Sequence, residues 1–340
     1  MAGIRILEVG TMLAGPYATM MLADLGAEVT KLEPPDGEIS RQVGDSYFAS
    51  LNRGKRSIRL DLTSAEGQAQ LGALVAKSHA LLVNLKPSAI RRLGLTYPAL
   101  RQWNERIVCV AITGFGLDGG DDPAFDYVIQ AATGVAALTG DPAGPPTLPG
   151  YSSADNSTGL TAALGLLAQI VSGRGGQVEV SLRDVMFSQL NYHASAYLNE
   201  GKRPHRRPFG AHAYYVPAQI FPTADGHLAL FITHDGFWKT FAGEAGVAGF
   251  ATMAERSAHR DEVLAAVTAA LAADTAAGWE ARLRPLGIPA AAVRTLPEAL
   301  DDTPHAVVTA GDYRLVGSPI RIAGFEPDYR PPPHLGEHGH

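Results

Sequence analysis

The chain has 340 residues, 46% of them hydrophobic, with 37 glycines and a formal net charge of −6, which is ample apolar material for about two domains of α/β character. Lys and Arg are interspersed with Asp and Glu and form no basic stripe, which argues against a nucleic-acid binder and leaves small acidic ligands open through local basic clusters. The only cysteine, Cys109, lies in the apolar run Ile107-Val108-Cys109-Val110-Ala111-Ile112, so it reads as a buried structural thiol, in keeping with a reducing cytoplasm.

Residues 4–9 predict a strand, 10–15 a loop, and 16–25 a helix with Pro16 in its first turn and Gly26 past its end. A second strand follows over 28–33. This βαβ opening puts Glu33 where a ribose-binding acid stands in dinucleotide folds, yet Gly10-Thr11-Met12-Leu13-Ala14-Gly15 is neither G-x-G-x-x-G nor a phosphate-cradling P-loop. The alternation then continues with a loop over 34–56, a strand over 57–62, a helix opened by Thr63-Ser64-Ala65-Glu66 as a capping box, and a strand over 80–84. Helical stretches at 88–93 and from Tyr97, the strand holding Cys109, a glycine loop over 113–120 and a helix over 126–138 come next. Strand, helix, strand implies a parallel sheet, whose ligands collect at the carboxyl ends of its strands, where the glycine loop and the Asn84 turn both fall.

The loop 151–157 carries Asp155 into an apolar helix over 158–171, in which Leu160, Ala163, Leu164, Leu167 and Val171 form a stripe expected to face a core. Asp155 sits where unpaired N–H groups and the helix dipole favour an anion, and it reads either as an N-cap or as a functional carboxylate. A strand over 176–182 and a long helix over 183–199 follow, then the Pro- and Arg-rich linker 202–208. Strands at 217–222 and 227–233 flank the hairpin turn Asp225-Gly226, with helices at 259–274 and 276–283 and a strand at 288–294 beyond them. The expected division is a large domain over 1–214, to which 301–340 returns with a strand-like run at 313–322, and a small α+β domain over 215–300. No segment is long and apolar enough for a membrane span. The tail 331–340 reads as extended and mobile, and its histidines His334, His338 and His340 make a weak metal pattern, with no metal site expected.

Two basic clusters lie on loops of the same sheet, Arg53, Lys55 and Arg56 around Gly54, and Lys86, Arg91 and Arg92 after Asn84. Each is either a solvated face or a phosphate ligand, and together with the glycine loop they suggest a phosphorylated, elongated cofactor.

The order Leu7-Glu8-Val9 to Ala14-Gly15-Pro16, Asp24-Leu25-Gly26-Ala27-Glu28-Val29 with Lys31 and Glu33, Asn52-Arg53-Gly54-Lys55-Arg56-Ser57, Leu60-Asp61-Leu62, Gly114-Phe115-Gly116, Phe125-Asp126, Gln130-Ala131 and Asp155 resembles the family III CoA-transferases. These include the 2-methylacyl-CoA racemases and the formyl-CoA and carnitine CoA-transferases. The resemblance covers nearly the whole chain and fades only at Leu335-Gly336-Glu337-His338. It implies an interlinked homodimer of a Rossmann-like, CoA-binding large domain and a small α+β domain, with the active site between domains of different protomers. It also implies Asp155 as nucleophile and a CoA path over the Met12 to Ala14 loop, Leu60, Asn84 to Lys86, Arg92, and Phe125 with Asp126. The activity implied is CoA transfer from an acyl-CoA to a carboxylic acid through an aspartyl anhydride and an aspartyl-CoA thioester, with the CoA thioester as co-substrate and no tightly bound cofactor. Two departures from the family pattern, Gly119-Gly120 for Gly-Pro and Ala124 for Gly, bear on loop geometry. A racemase carries His where Phe125 stands, and a phenyl ring cannot move a proton. A non-catalytic acyl-CoA binder, with Asp155 only a cap, is the third reading.

Overall fold

A computed structural model describes residues 1–339, and the chain forms two compact units. The first comprises Met1–Val135, Pro149–Lys202 and residues 303–339, and the second Ala136–Leu148 and Arg203–Asp302.

In the first unit, strands β1 (Arg5–Val9), β2 (Glu28–Glu33), β3 (Arg56–Arg59), β4 (Ala80–Val83), β5 (Val108–Thr113) and β6 (Gly176–Ser181) form one parallel sheet in the order β3-β2-β1-β4-β5-β6. Side chains alternate across it: Ile6, Leu82 and Val110 point to one apolar core, Leu7, Leu81 and Cys109 to the other. The connecting helices are α1 (Ala14–Asp24), α2 (Ser40–Val43), α3 (Asp45–Asn52), α4 (Ala65–Val75), α5 (Pro87–Arg92), α6 (Tyr97–Leu100) and α7 (Asp126–Ala132), then, past the short α8 (Val135–Leu138) whose last three residues belong to the second unit, α9 (Ser153–Val171), α10 (Leu182–Gln189) and α11 (Asn191–Glu200). Burial drives the pKa of the Cys109 thiol up to about 12, so it is an inert packing group.

Strand order reverses between β1 and β4, and the loops leaving these strands are tied together there. Thr11 N donates to Asn84 Oδ1 and Asn84 Nδ2 to Thr11 O, both at 2.8 Å. A crevice opens at such a reversal in doubly wound sheets.

Several elements depart from the sequence reading. The stretch 34–56 holds two helices, α2 and α3, and the helix expected over 126–138 breaks where Gly134 takes φ 89°. The helix expected over 183–199 is divided at Leu190. At the start of α4 the cap is Ser64, whose Oγ accepts from Gly67 N at 3.0 Å, not a box from Thr63 to Glu66. In α9 the expected stripe is met only in part: Ala163 is buried and Leu167 packs on the core, with Ala154, Gly159, Ala162 and Leu166 also buried, whereas Leu164 is 68% and Val171 85% exposed and Leu160 also faces outward. The cause is close packing on α1, since a Cβ at Gly159 would stand 2.7 Å from Ala14 O. At that contact only a glycine fits without a shift.

The tail is extended but not loose. It runs beside the edge strand β3: Gly336 N donates to Ser57 Oγ at 3.0 Å, His338 N to Ser57 O at 2.9 Å, and Arg59 N to Gly339 O at 3.1 Å. The His338 ring accepts from Ser57 N at 3.2 Å, and His340 lies outside the described residues.

In the second unit, β7 (Ala218–Pro222), β8 (His227–Phe231) and β9 (Ala290–Ala292) make an antiparallel sheet beside α12 (Asp235–Ala245), α13 (Met253–Ala258), α14 (Arg260–Leu271) and α15 (Ala276–Leu283), around a core of Phe221, Trp238, Phe241 and Trp279. Buried Arg256 binds Val216 O, Phe250 O, Ala251 O and the Asp235 carboxylate at 2.8–3.0 Å. The run 313–322 supplies only Tyr313–Val316, paired antiparallel with Val307–Ala310 in the first unit. No described helix is long and apolar enough to cross a membrane.

Candidate active site

Asp155 lies in the first turn of α9 and is not its cap. The Asp126 carboxylate, at the start of α7, caps that helix instead. Its Oδ1 accepts from Ala154 N at 2.7 Å and from Asp155 N at 3.0 Å, while Gln130 Nε2 donates to Oδ2. With its own helix-end amides taken, the Asp155 carboxylate has no hydrogen-bond donor among the described residues, and it is half-buried. Burial, and then the Asp126 charge, raise its pKa to about 7. The helix N-terminus was expected to keep Asp155 readily ionised; desolvation and a like charge outweigh it. The result is a basic carboxylate that is still substantially ionised near neutrality, a better nucleophile than an ordinary aspartate.

Tyr47 of α3 is a neighbour that the sequence reading missed, because its stretch read as loop. Its hydroxyl is held above its ordinary value by burial and then by the charges of Asp155 and Glu38, so it stays protonated within electrostatic reach of the carboxylate without a hydrogen bond to it. The pattern Tyr47-Phe48-Ala49 with Leu51 after Asp45 was the available sign of a short helix.

Ala14 is buried at the start of α1, under Gly159 and one helical turn along α9 from Asp155. Met12, just before it, takes φ 60°, a strained backbone for a residue with a side chain. Glu38 clamps this loop, accepting from Thr11 Oγ1 at 3.0 Å and Met12 N at 3.3 Å. Beneath it lies a buried charge cluster: Glu8 bridges Lys31 and Lys55, each at 2.7 Å, and Lys31 also donates to Gly10 O at 2.9 Å. Burial raises the Glu8 carboxyl, but the two ammonium groups more than offset this and bring its pKa down to about 2.

This cluster corrects one expectation. Arg53 and Lys55 are not phosphate ligands: Arg53 forks onto Asp24 at 3.0 and 2.7 Å, and Lys55 is fully engaged by Glu8, Pro16 O and Asn52. Glu33 is likewise no ribose acid, because Arg41 and Ser57 hold it in the interior. In the other cluster Arg91 reaches Asp118, while Lys86 and Arg92 are exposed on the turn after β4 and at the end of α5. Leu60 lines an apolar cleft of about 310 Å³ at the carboxyl ends of the strands, with Val9, Thr11, Leu32, Leu62 and Leu93. The structure thus joins Asp155, Asp126 and Ala14 through the α1–α7–α9 packing, and Asn84 to the Thr11 loop. Leu60 shares its cleft with that loop and with Leu85 and Leu93, the chain neighbours of Lys86 and Arg92, which are not themselves part of its wall.

The profile of CoA-transferase family III matches residues 1–339. The chain is 35% identical to the succinate–glutarate CoA-transferase of Agrobacterium fabrum, over 77% of this chain and 72% of that one. It is 30% identical to the acetyl-CoA:oxalate CoA-transferase of Acetobacter aceti, over 99% and 93%. Among solved structures, a hypothetical protein from Mycobacterium tuberculosis superposes with a TM-score of 0.90 at 29% identity, over 99% of this chain and 97% of that one. A CAIB/BAIF family protein from Brucella suis gives 0.87 at 28%, over 99% and 96%. With likeness in both sequence and fold running the length of the chain, the protein belongs to CoA-transferase family III and is a CoA-transferase.

Proposed function

We propose that Asp155 is the nucleophile that carries CoA from an acyl-CoA thioester to a small carboxylic acid. The observation that carries this reading is the donor-free, half-buried Asp155 carboxylate, its pKa raised to about 7. The carboxylate attacks the thioester carbonyl, forming an acyl-aspartyl anhydride and releasing CoA thiolate. The thiolate attacks the aspartyl carbonyl of the anhydride, giving aspartyl-CoA thioester and freeing the first acid. An acceptor carboxylate then attacks that thioester, and the returning thiolate takes the new acyl group and restores Asp155. Atoms and charge balance without any resident cofactor.

The CoA path proposed for this chain runs over Ala14, Leu60, Asn84, Lys86, Arg92 and Asp126. Support for it comes from the reversal of strand order between β1 and β4, where ligands of doubly wound sheets collect, from the apolar cleft at Leu60, and from the exposed Lys86 and Arg92 as partners for phosphates. Asp126 takes part by fixing the end of α9. Relatives named for succinate and glutarate, and for acetyl-CoA and oxalate, support an acyl-CoA donor and a small acid acceptor. Phe125, at the position of a racemase His and 68% exposed, argues against proton transfer at a substrate α-carbon. A homodimer fits the outward apolar residues Leu160, Leu164, Val171, Tyr197 and Leu198, and a cytoplasmic location fits the single buried thiol.

Asp155→Asn tests the mechanism. The variant keeps the side chain's shape and leaves the Asp126 cap in place, so it should fold and bind acyl-CoA yet lose exchange by at least about 10³-fold. Incubating wild type with acyl-CoA and hydroxylamine should mark the peptide holding Asp155, read by mass spectrometry. Turnover by the Asn variant near the wild-type rate would remove Asp155 from the chemistry.

A further inference from the structure

At the opposite end of the strands, where β1, β4 and β5 begin, lies a cavity of about 340 Å³ whose wall includes Arg5, Lys77, His79, Arg106 and Arg174 and no carboxylate. These five come from separate places in the chain: Arg5 opens β1, Lys77 and His79 lie between α4 and β4, Arg106 precedes β5, and Arg174 lies between α9 and β6. Their convergence is therefore a product of the fold. Two of the guanidiniums are anchored on carbonyls, Arg5 Nε on Lys77 O and Arg106 Nη2 on Gly173 O at 3.5 Å. His79 Nδ1 accepts from Arg5 N at 3.0 Å, so the proton of the neutral ring sits on Nε2 as a further donor. Glu28 stands opposite Arg5 on β2 and Glu105 precedes Arg106, but neither is part of the cavity wall.

The ordinary explanation is that α4 and α9 end here and that cations offset the negative ends of their dipoles. That role needs charges near the helix ends, and the two anchored guanidiniums already meet the carbonyls of both turns. It does not account for Lys77, Arg174 and the His79 donor joining them around one concavity in a chain of net charge −6.

We propose that this cavity is a second binding site, for a small anion bearing a diphosphate group. Four positive charges, two of them anchored, and a ring N–H suit a group with several negative oxygens, and the volume is at the lower end of small-molecule sites. Along α9 the chain climbs from Asp155 to Val171, roughly 24 Å at about 1.5 Å per residue, to reach the cavity wall, so an anion here does not touch the reacting carboxylate.

Isothermal titration of the full-length protein with inorganic pyrophosphate in low salt, at saturating acyl-CoA, tests the site. Saturable binding that weakens with added salt is expected. The double substitution Lys77→Ala with Arg174→Ala, both exposed, should weaken it at least tenfold while leaving kcat and the KM for acyl-CoA unchanged. Lys86→Ala with Arg92→Ala should leave pyrophosphate binding intact. ADP serves as a second probe: tighter binding than pyrophosphate assigns a nucleotide, equal binding the diphosphate alone, and both support the site. No saturable heat from either probe, full competition by acyl-CoA, or unchanged affinity in the Lys77/Arg174 variant would overturn it.

Discussion

Asp155 is a carboxylate made basic by its surroundings, and its pH behaviour follows. Exchange should fall as pH drops through about 7, because the protonated acid cannot attack. Asp126→Asn keeps an oxygen for the Ala154 and Asp155 amides but removes the second cause of the upward shift, so the acid limb of kcat/KM should move to lower pH. An unmoved limb would leave burial as the sole cause. Stability runs the other way. A carboxyl raised from 3.8 to about 7 binds its proton more tightly in the folded state, so wild type loses stability as pH climbs through that window. Asp155→Asn escapes the loss and should melt higher than wild type at pH 8, by roughly 2 °C for about 1 kcal/mol. In sequence, Asp155 was legible as a carboxylate at a helix mouth. That Asp126 does the capping was not, because the two are 29 residues apart. Nor does charge alone say whether Arg53 and Lys55 face water or Asp24 and Glu8.

At the scale of elements, strands read well because β4 and β5 are apolar runs buried on both faces, which few other structures accommodate. The helices between 34 and 56 were hidden by their brevity and polar composition, and α9 was partly misread because small residues, not leucines, mark its tight face. That face yields a paired prediction. Gly159→Ala drives a methyl toward Ala14 O and should cost about 1–3 kcal/mol in urea melts, and it should also lower kcat by shifting α9 under Asp155. Gly243→Ala, in α12 with open space around it, should instead stabilise by about 0.5–1 kcal/mol. Equal effects at both sites would mean that the α1–α9 approach is not tight.

For the whole molecule, the outward apolar face of α9 and α11 should be covered by a second copy. Sedimentation equilibrium should give a dimer whose mass holds into the nanomolar range, and Leu164→Glu should split or unfold it. A stable, active monomer would contradict this. Removing residues 333–340 should bare the backbone edge of β3, lowering the melting temperature and producing light scattering at concentrations where the full chain stays clear. Unchanged scattering would mean that the charged Arg56 and Arg59 guard that edge unaided. The same pairing sets a timetable for synthesis in the cell. Ser57 is made 281 residues before its partner His338, so at ribosomal speeds of about 5–20 residues per second the young sheet waits roughly 15 to 60 s for its outermost cover. During that interval the nascent chain presents an open strand to every neighbour, which makes it a natural client for whatever shields polypeptides at the ribosome exit.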